Sequence, residues 1–223
     1  MLRLITRIGS PLAALTVGYL VFPKEWNKSH HLQGHVVHVN EAVVGQLEDT
    51  NEFKDLQKNA NYRYYRFGDA MPLQHRKNHI GHGLLSGPDM FEIEPIAFLD
   101  EQNGQLVSFY HLGKLLTSQD NQIHNGVIST ILDEGLCICG FPQLASQKGV
   151  TAQLAIDFKN QAPPDTTVRL TARVVEAKGR KVVIDGFLDT FPLDGLDSTR
   201  IAEAQCVLVE PKWFRYFLWF KLV

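Results

Sequence analysis

One apolar run near the middle of this chain constrains its fold more than any other feature. Residues 126–139 carry GVISTILDEGLCIC, a run of helical length that is stopped by Gly140 and Pro142. Because the predicted helix is apolar nearly all round, most of its faces should be buried. A lone buried helix must be wrapped by other elements, so the segments on either side decide the architecture.

Strand patterns flank this helix on both sides. Before it, residues 91–99 and 105–111 are separated by a turn that contains Asn103-Gly104, which is a hairpin signal. After it, apolar and polar residues alternate with the period of antiparallel strands that are covered on one face, at residues 151–159, 168–176, 181–190 and 201–209. The order predicts an α+β fold in which a curved antiparallel sheet of about six strands wraps around one long buried helix.

Residues 25–89 have mixed character and predict an N-terminal extension of helices and loops. Residues 40–58 carry helix formers and predict one or two short helices, whereas the aromatic segment 62–67 looks extended. Residues 79–88 contain three glycines and predict a connecting loop that lies over the domain, with a catalytic loop as the alternative. The seven histidines between His30 and His82 show no spacing typical of metal ligands, so neither a metal site nor a cofactor is predicted.

Charge and cysteine content narrow the class of protein. The formal net charge of the 223 residues is −2 and the pI is about 6.5, which does not indicate the basic face of a nucleic-acid-binding protein. Cys137, Cys139 and Cys206 are odd in number and lie in apolar runs. We therefore expect reduced core cysteines, as in a reducing compartment.

The N-terminal segment differs from the rest of the chain. Arg3 and Arg7 are followed by 15 uncharged residues, 8–22, and no acidic residue precedes Glu25. A mitochondrial presequence, a short membrane anchor, a secretory signal and a helix packed on the domain are all compatible with this pattern. The acid-poor, arginine-bearing composition favours residues 1–24 as a mitochondrial targeting or short membrane-anchor segment.

The C-terminal tail, residues 211–223, is rich in aromatic side chains. Between Lys212 and Lys221 it combines six aromatic residues with three basic ones, a mixture that suits a membrane interface. Packing on the folded body or on a partner subunit is equally compatible. Membrane contact through either end of the chain therefore remains an expectation.

The start of the predicted helix carries a family resemblance. His124-Asn125-Gly126, followed by six residues and then Asp133, resembles the His-Gly-Gly, six-residue spacer and acid motif of hotdog-fold thioesterases of the phenylacetyl-CoA thioesterase type. Residues 84–88 and 149–154 resemble uncharacterised fungal members of that group. The resemblance covers most of residues 80–210. It implies a hotdog domain at 90–210 that hydrolyses a fatty or aromatic acyl-CoA thioester without a cofactor, as a homodimer or a dimer of dimers.

Physical chemistry supports a site at this helix start. The free N–H groups and the positive dipole end of a buried helix suit the oxyanion that forms from a thioester carbonyl, so the amides of Asn125 and Gly126 are the expected oxyanion hole. Asp133 occupies the family's acid position, as a general base or a nucleophile. It lies seven residues after Gly126, about 10 Å along the axis, which is too far to act on the same carbonyl. The resemblance therefore implies that two subunits share each site.

Further residues complete the expected site. His124 either positions the thioester or is a structural histidine of the turn, and Glu134, Cys137 and Thr130 are expected to line the substrate. Glu134 projects about 100° away from Asp133 around the helix, and both carboxylates could instead hydrogen-bond neighbouring loops.

The motif departs from the family pattern in two places. Asn125 replaces a glycine, and Cys137 stands where relatives often place a hydroxyl that helps to hold a water molecule. An inactive hotdog protein that binds acyl-CoA or a protein partner is therefore the alternative hypothesis. A hotdog dehydratase ranks third, because the Asp/His arrangement of that group is not found on the helix.

Overall fold

The computed structural model describes residues 39–66, 76, 78–193 and 197–214. The predicted targeting segment, residues 1–24, lies outside the described residues, and the predicted aromatic tail is described only as far as Phe214. Among the residues that are described, no helix is both long enough and apolar enough to cross a membrane.

Three α-helices and seven strands are the main elements of the described residues. The helices are α1 (Glu41–Asp49), α2 (Asn51–Lys58) and α3 (Asn125–Gly140). The strands are β1 (Arg63–Arg66), β2 (Ile96–Asp100), β3 (Gln105–Leu112), β4 (Val150–Phe158), β5 (Thr166–Lys178), β6 (Lys181–Thr190) and β7 (Arg200–Val209). A single π-helical turn, Ile80–Leu84, precedes β2, and we call it the π-turn.

All seven strands form one antiparallel sheet in the order β1-β2-β3-β5-β6-β7-β4. The predicted fold class, a sheet around one buried helix, is confirmed. The seventh strand, in addition to the predicted six, is β1. It lies in the aromatic segment that was expected to be extended, and it pairs with β2, where Tyr64 is opposite Phe98. The described part of segment 25–89 thus supplies two helices, the π-turn and one edge strand.

Helix α3 fills the inner face of the sheet, where it packs against β3, β4, β5, β6 and β7. It begins after His124 and ends at Gly140, as the apolar run predicts. The helix approaches β5 closely at Gly135, where a Cβ would lie 2.1 Å from the Leu170 side chain. The helix is therefore held at a fixed position relative to the sheet, and this fixes the side chains that project from it.

Helices α1 and α2 cover the outer face of the sheet at β2 and β3. Phe98 and Phe109 point outward and pack with Leu47 of α1 and Phe53 of α2, whereas Leu106 points inward against α3. Both faces of these two strands are covered, which explains why nearly every residue in them is buried, whereas β4 to β7 alternate between apolar and polar residues.

Candidate functional site

The start of α3 is held by a histidine cap. The backbone N–H of His124 donates to the Leu116 carbonyl, and the His124 Nδ1 accepts the N–H of Gly126 over 2.9 Å. This cap uses one of the two amides that were expected to form the oxyanion hole. Asn125 is an exposed residue, and its N–H has no hydrogen-bond partner among the described residues. Of the two amides, that of Asn125 is the one open to a ligand.

Asp133 lies where α3 faces the edge strand β4, a region that we call the strand side of the helix. The Thr151 hydroxyl donates to Asp133 Oδ1 over 2.8 Å, and Cys137 Sγ lies 3.2 Å from the same hydroxyl oxygen. A threonine hydroxyl has one proton, and here the carboxylate accepts it, so Cys137 is the donor to Thr151. Thr151 thereby supplies the hydroxyl beside Asp133 that Cys137 cannot supply.

A β-bulge aims Thr151 at the helix. Thr151 pairs with Leu208, whereas Gln153 pairs with Val207, so Ala152 is an extra residue in β4. Thr151 and Leu154 are three residues apart, so in a regular strand their side chains would lie on opposite faces. Because Leu154 faces the core, Thr151 would then point away from it. The inserted residue turns Thr151 toward Asp133, as bulges near functional sites commonly do.

Glu134 points to the opposite flank of α3, where the π-turn lies; we call this the loop side. Its Oε1 accepts the N–H of Gly81 over 3.3 Å and lies 3.5 Å from His79 Nδ1. The His82 ring is 4.9 Å from that of His79, measured between centroids. Although these histidines show no metal-ligand spacing in the sequence, the fold brings His79 and His82 to Glu134.

Burial governs protonation on the loop side. Desolvation raises the pKa of Glu134 to about 7, an effect that the Gly81 N–H partly opposes and the charge of Asp133 reinforces. Burial lowers the pKa of His79, and burial together with the neighbouring charges of His79 and Arg76 lowers the pKa of His82 to about 4. At neutral pH both imidazoles are therefore neutral, and the His79–Glu134 contact is not a full ion pair.

Two small pockets meet at His124. One, of about 320 Å³, lies between the π-turn and the first half of α3 and has mainly apolar walls that include Ile80, Leu116 and Val127. The other, of about 350 Å³, is polar and lies toward the end of β4, beside Asp120 and Gln161. A further cavity, of about 800 Å³, lies on the outer face of the sheet among charged side chains, and its lining includes none of the predicted site residues.

The remaining predicted site residues fall in different places. The Thr130 hydroxyl donates to the Gly126 carbonyl of its own helix, and its side chain borders the apolar pocket. Glu134 is turned to the loop side, whereas Cys137 lies on the strand side near Cys206. The structure thus separates the residues expected to line one substrate into two groups.

Sequence reasoning missed three residues of these groups, namely Thr151, His79 and His82. Thr151 was included in the family resemblance only as the start of a strand, and no sequence pattern reveals the bulge that turns it inward. His79 and His82 are three residues apart with glycines beside them, a spacing that could have indicated one shared face of a helical turn.

The comparisons place this architecture in a family. Residues 121–188, which span α3 to most of β6, match the family model of the thioesterase superfamily. The chain is 55% identical to an uncharacterized mitochondrial protein of Candida albicans (strain WO-1) over 223 residues, which is 100% of each chain. It is 39% identical to MIOREX complex component 3 of Saccharomyces cerevisiae over 198 residues, covering 79% of this chain and 73% of that protein.

The fold and the matched segment define the class, a hotdog-fold domain of the thioesterase superfamily. Within that superfamily, the chain belongs to the fungal branch that includes these two proteins. Among solved structures, the PaaI protein from the phenylacetic acid degradation operon of E. coli is 16% identical, with 49% of this chain and 74% of that chain covered and a TM-score of 0.44.

Proposed function

We propose that this protein is a mitochondrial acyl-CoA thioesterase whose active sites are shared between two subunits. The observation that carries the proposal is Asp133 itself, a partly buried carboxylate that is oriented by the Thr151 hydroxyl at 2.8 Å and lies at the family's acid position. Asp133 acts as the base that activates water, or as the nucleophile, and the Asn125 N–H stabilises the oxyanion.

The pockets beside His124 support this substrate class. An acyl-CoA has an apolar acyl chain on one side of the thioester and a long polar carrier on the other. With the carbonyl at the start of α3, the apolar pocket accepts the acyl chain and the polar pocket accepts the carrier. A volume of about 320 Å³ is small, so the acyl chain must be short or must extend into space that a second subunit completes.

The free edge of β4 supports the homodimer. Among the described residues, β4 pairs with β7 alone, and the side chains of Val150 and Phe158 at its two ends are exposed. A nine-residue open edge is a ready surface for strand pairing with another chain. Because Thr151 is on this strand, a second subunit docked there lies close to Asp133 and can bring its helix start to it.

The mitochondrial location rests on the relatives and on the N-terminal composition. The Candida albicans relative is named as mitochondrial, and residues 1–24 have the arginine-bearing, acid-poor composition of a targeting segment. Deleting residues 1–24 and following the protein by microscopy tests this part. An unchanged location would contradict it.

The hydrolase proposal is tested with purified protein and a panel of short, medium, long and aromatic acyl-CoAs, with release of free CoA thiol as the readout. We expect turnover by the wild type and a loss of at least about 100-fold in kcat for Asp133→Asn, the size typical of removing a general base. Asp55→Asn, which makes the same change on the exposed face of α2 away from β4 and the start of α3, is the matched control and should retain activity. No turnover on any substrate would overturn the enzyme proposal.

A binding protein without hydrolytic activity is the second candidate. It is favoured by the name of the Saccharomyces cerevisiae relative, which describes that protein as a component of a complex. This candidate predicts acyl-CoA binding without thiol release, and equal binding by the wild type and Asp133→Asn.

A further inference from the structure

The loop side of α3 collects three side chains that ligate transition metals. His79 and His82 lie at either end of one turn of chain, and Glu134 comes from the buried helix. One ligand atom from each of the three residues lies within 4.8 Å of the others. The side chains of His79 and Glu134 are only 31% and 19% exposed, so the group is not a chance meeting of long surface side chains.

From this geometry we propose that His79, His82 and Glu134 form a divalent transition-metal site that binds Zn²⁺. Two imidazoles and one carboxylate are an established ligand set for zinc, with a fourth position left for water or another ligand. In a tetrahedral site with bonds of about 2.0–2.1 Å, neighbouring ligand atoms are about 3.3 Å apart. His79 Nδ1 and Glu134 Oε1 are already 3.5 Å apart.

The local backbone is shaped to bring these ligands together. His79 caps the π-turn, and such turns occur often at functional sites. Gly81 is buried directly against Glu134, and a Cβ at that position would lie 2.3 Å from Oε2. With a larger residue at position 81, the Glu134 carboxylate or the turn would have to shift, so glycine permits the close approach that places both imidazoles beside the carboxylate.

The contacts that the proposed ligand atoms already make are long, and the Gly81 N–H lies 3.3 Å from Glu134 Oε1. The cap hydrogen bond from the His82 N–H to His79 Nδ1 is long, at 3.4 Å, and gives way when that nitrogen binds the metal.

Two other groups of residues compete for the same ion. Asp133, Cys137 and Cys206 also have ligand atoms within 4.8 Å of one another, but they would supply sulfur ligands. The sequence also carries His30, His31, His35 and His38, which lie outside the described residues. The experiment must separate these locations from the loop side.

The test uses full-length protein stripped with a chelator and titrated with ZnCl₂ by calorimetry. We expect one Zn²⁺ per chain, and affinity at least about 100-fold weaker in His79→Gln, His82→Gln and Glu134→Gln, each checked for folding by circular dichroism. His124→Gln, which removes a histidine outside the group, is the matched control and should bind as the wild type does. Zinc X-ray absorption should show nitrogen and oxygen ligands without sulfur.

Three outcomes would overturn the proposal. Absence of stoichiometric binding would leave the three residues as a proton-sharing cluster only. Sulfur in the first coordination shell would place the metal at Asp133, Cys137 and Cys206. Binding that persists in the His79→Gln/His82→Gln double variant but disappears when His30, His31, His35 and His38 are replaced would place it in the N-terminal segment. Because the readout is metal binding, none of these outcomes depends on thioester hydrolysis.

Discussion

Two adjacent carboxylates on α3 occupy opposite kinds of environment. On the strand side, Asp133 is held by a hydroxyl on an edge strand, at the surface where a second subunit is proposed to dock. On the loop side, Glu134 is buried under the π-turn among imidazoles and a backbone amide. A rotation of about 100° around one helix separates a partly exposed, oriented acid from a desolvated one.

The comparison shows that the neighbouring elements, rather than the helix, determine what each acid can do. An oriented carboxylate within reach of water suits proton transfer, whereas a buried carboxylate beside neutral imidazoles suits a shared proton or a cation. Changes on one side should therefore leave the other side largely intact, and the following predictions test this separation.

The largest effect should appear in the pH dependence of stability of Glu134→Gln. Folding raises the pKa of Glu134 from 4.5 to about 7, so the folded state prefers the protonated acid. That preference is fully present below pH 4.5 and is lost as pH rises through 7. In wild type the ionised acid therefore costs about 3 kcal/mol at pH 8, a cost that glutamine removes.

The measurement is urea unfolding at pH 4.5 and pH 8 in the presence of a chelator, which excludes bound metal. Glu134→Gln should match wild type at pH 4.5 and exceed it at pH 8. Glu48→Gln makes the same change on the exposed face of α1 and should follow the wild type at both pH values. If Glu134→Gln and the wild type differed equally at both pH values, the burial argument would fail.

Gly81→Ala should disturb the loop side by steric overlap. Its Cβ would lie 2.3 Å from Glu134 Oε2, so the carboxylate or the π-turn must shift, and we expect a cost of about 1 kcal/mol in the free energy of unfolding. Gly45→Ala is the matched control: no atom lies within 4 Å of its added Cβ, and in helix α1 it should stabilise by about 0.5–1 kcal/mol. Urea unfolding measures both, and equal effects of the two changes would contradict a tightly fitted turn.

Thr151→Val should act on the strand side alone. It removes the hydroxyl that orients Asp133 while keeping the shape of the side chain. If the hydrogen bond contributes about 1 kcal/mol to the catalytic step, kcat should fall about fivefold to tenfold. KM should change little, because Thr151 borders neither pocket at His124. Thr171→Val, on the outer face of β5, should leave kcat unchanged. A fall in kcat of the same size in both variants would remove the specific role of Thr151.

The sequence predicts the fold well because the residue patterns that specify helices and strands are local and periodic. The apolar run gives α3 to within a residue at each end, and the alternation along residues 151–209 gives four strands to within two residues of their observed bounds. The pairing of β1 with β2 could not be predicted, since a four-residue aromatic segment carries no register information.

The site was predictable only where it lies on α3. His124 and Asp133 follow from the motif and the helical repeat, whereas their partners come from distant elements. Thr151 reaches Asp133 through a one-residue bulge, and His79 reaches Glu134 through contacts across 55 residues of sequence. Neither contact has a sequence signature, because bulges and loop packing are set by tertiary structure.

The smallest effect concerns the helix start, which belongs to neither side. His124→Ala removes the Nδ1 that accepts the Gly126 N–H and should cost about 1 kcal/mol in unfolding free energy, whereas His124→Asn should recover most of that loss, since asparagine is a good N-cap. The alanine variant also releases the Gly126 amide. If kcat stays at the wild-type value in His124→Ala while stability falls, the histidine is only a cap and the Asn125 amide suffices for the oxyanion. A large loss of kcat that His124→Asn does not restore would instead assign the imidazole to the substrate.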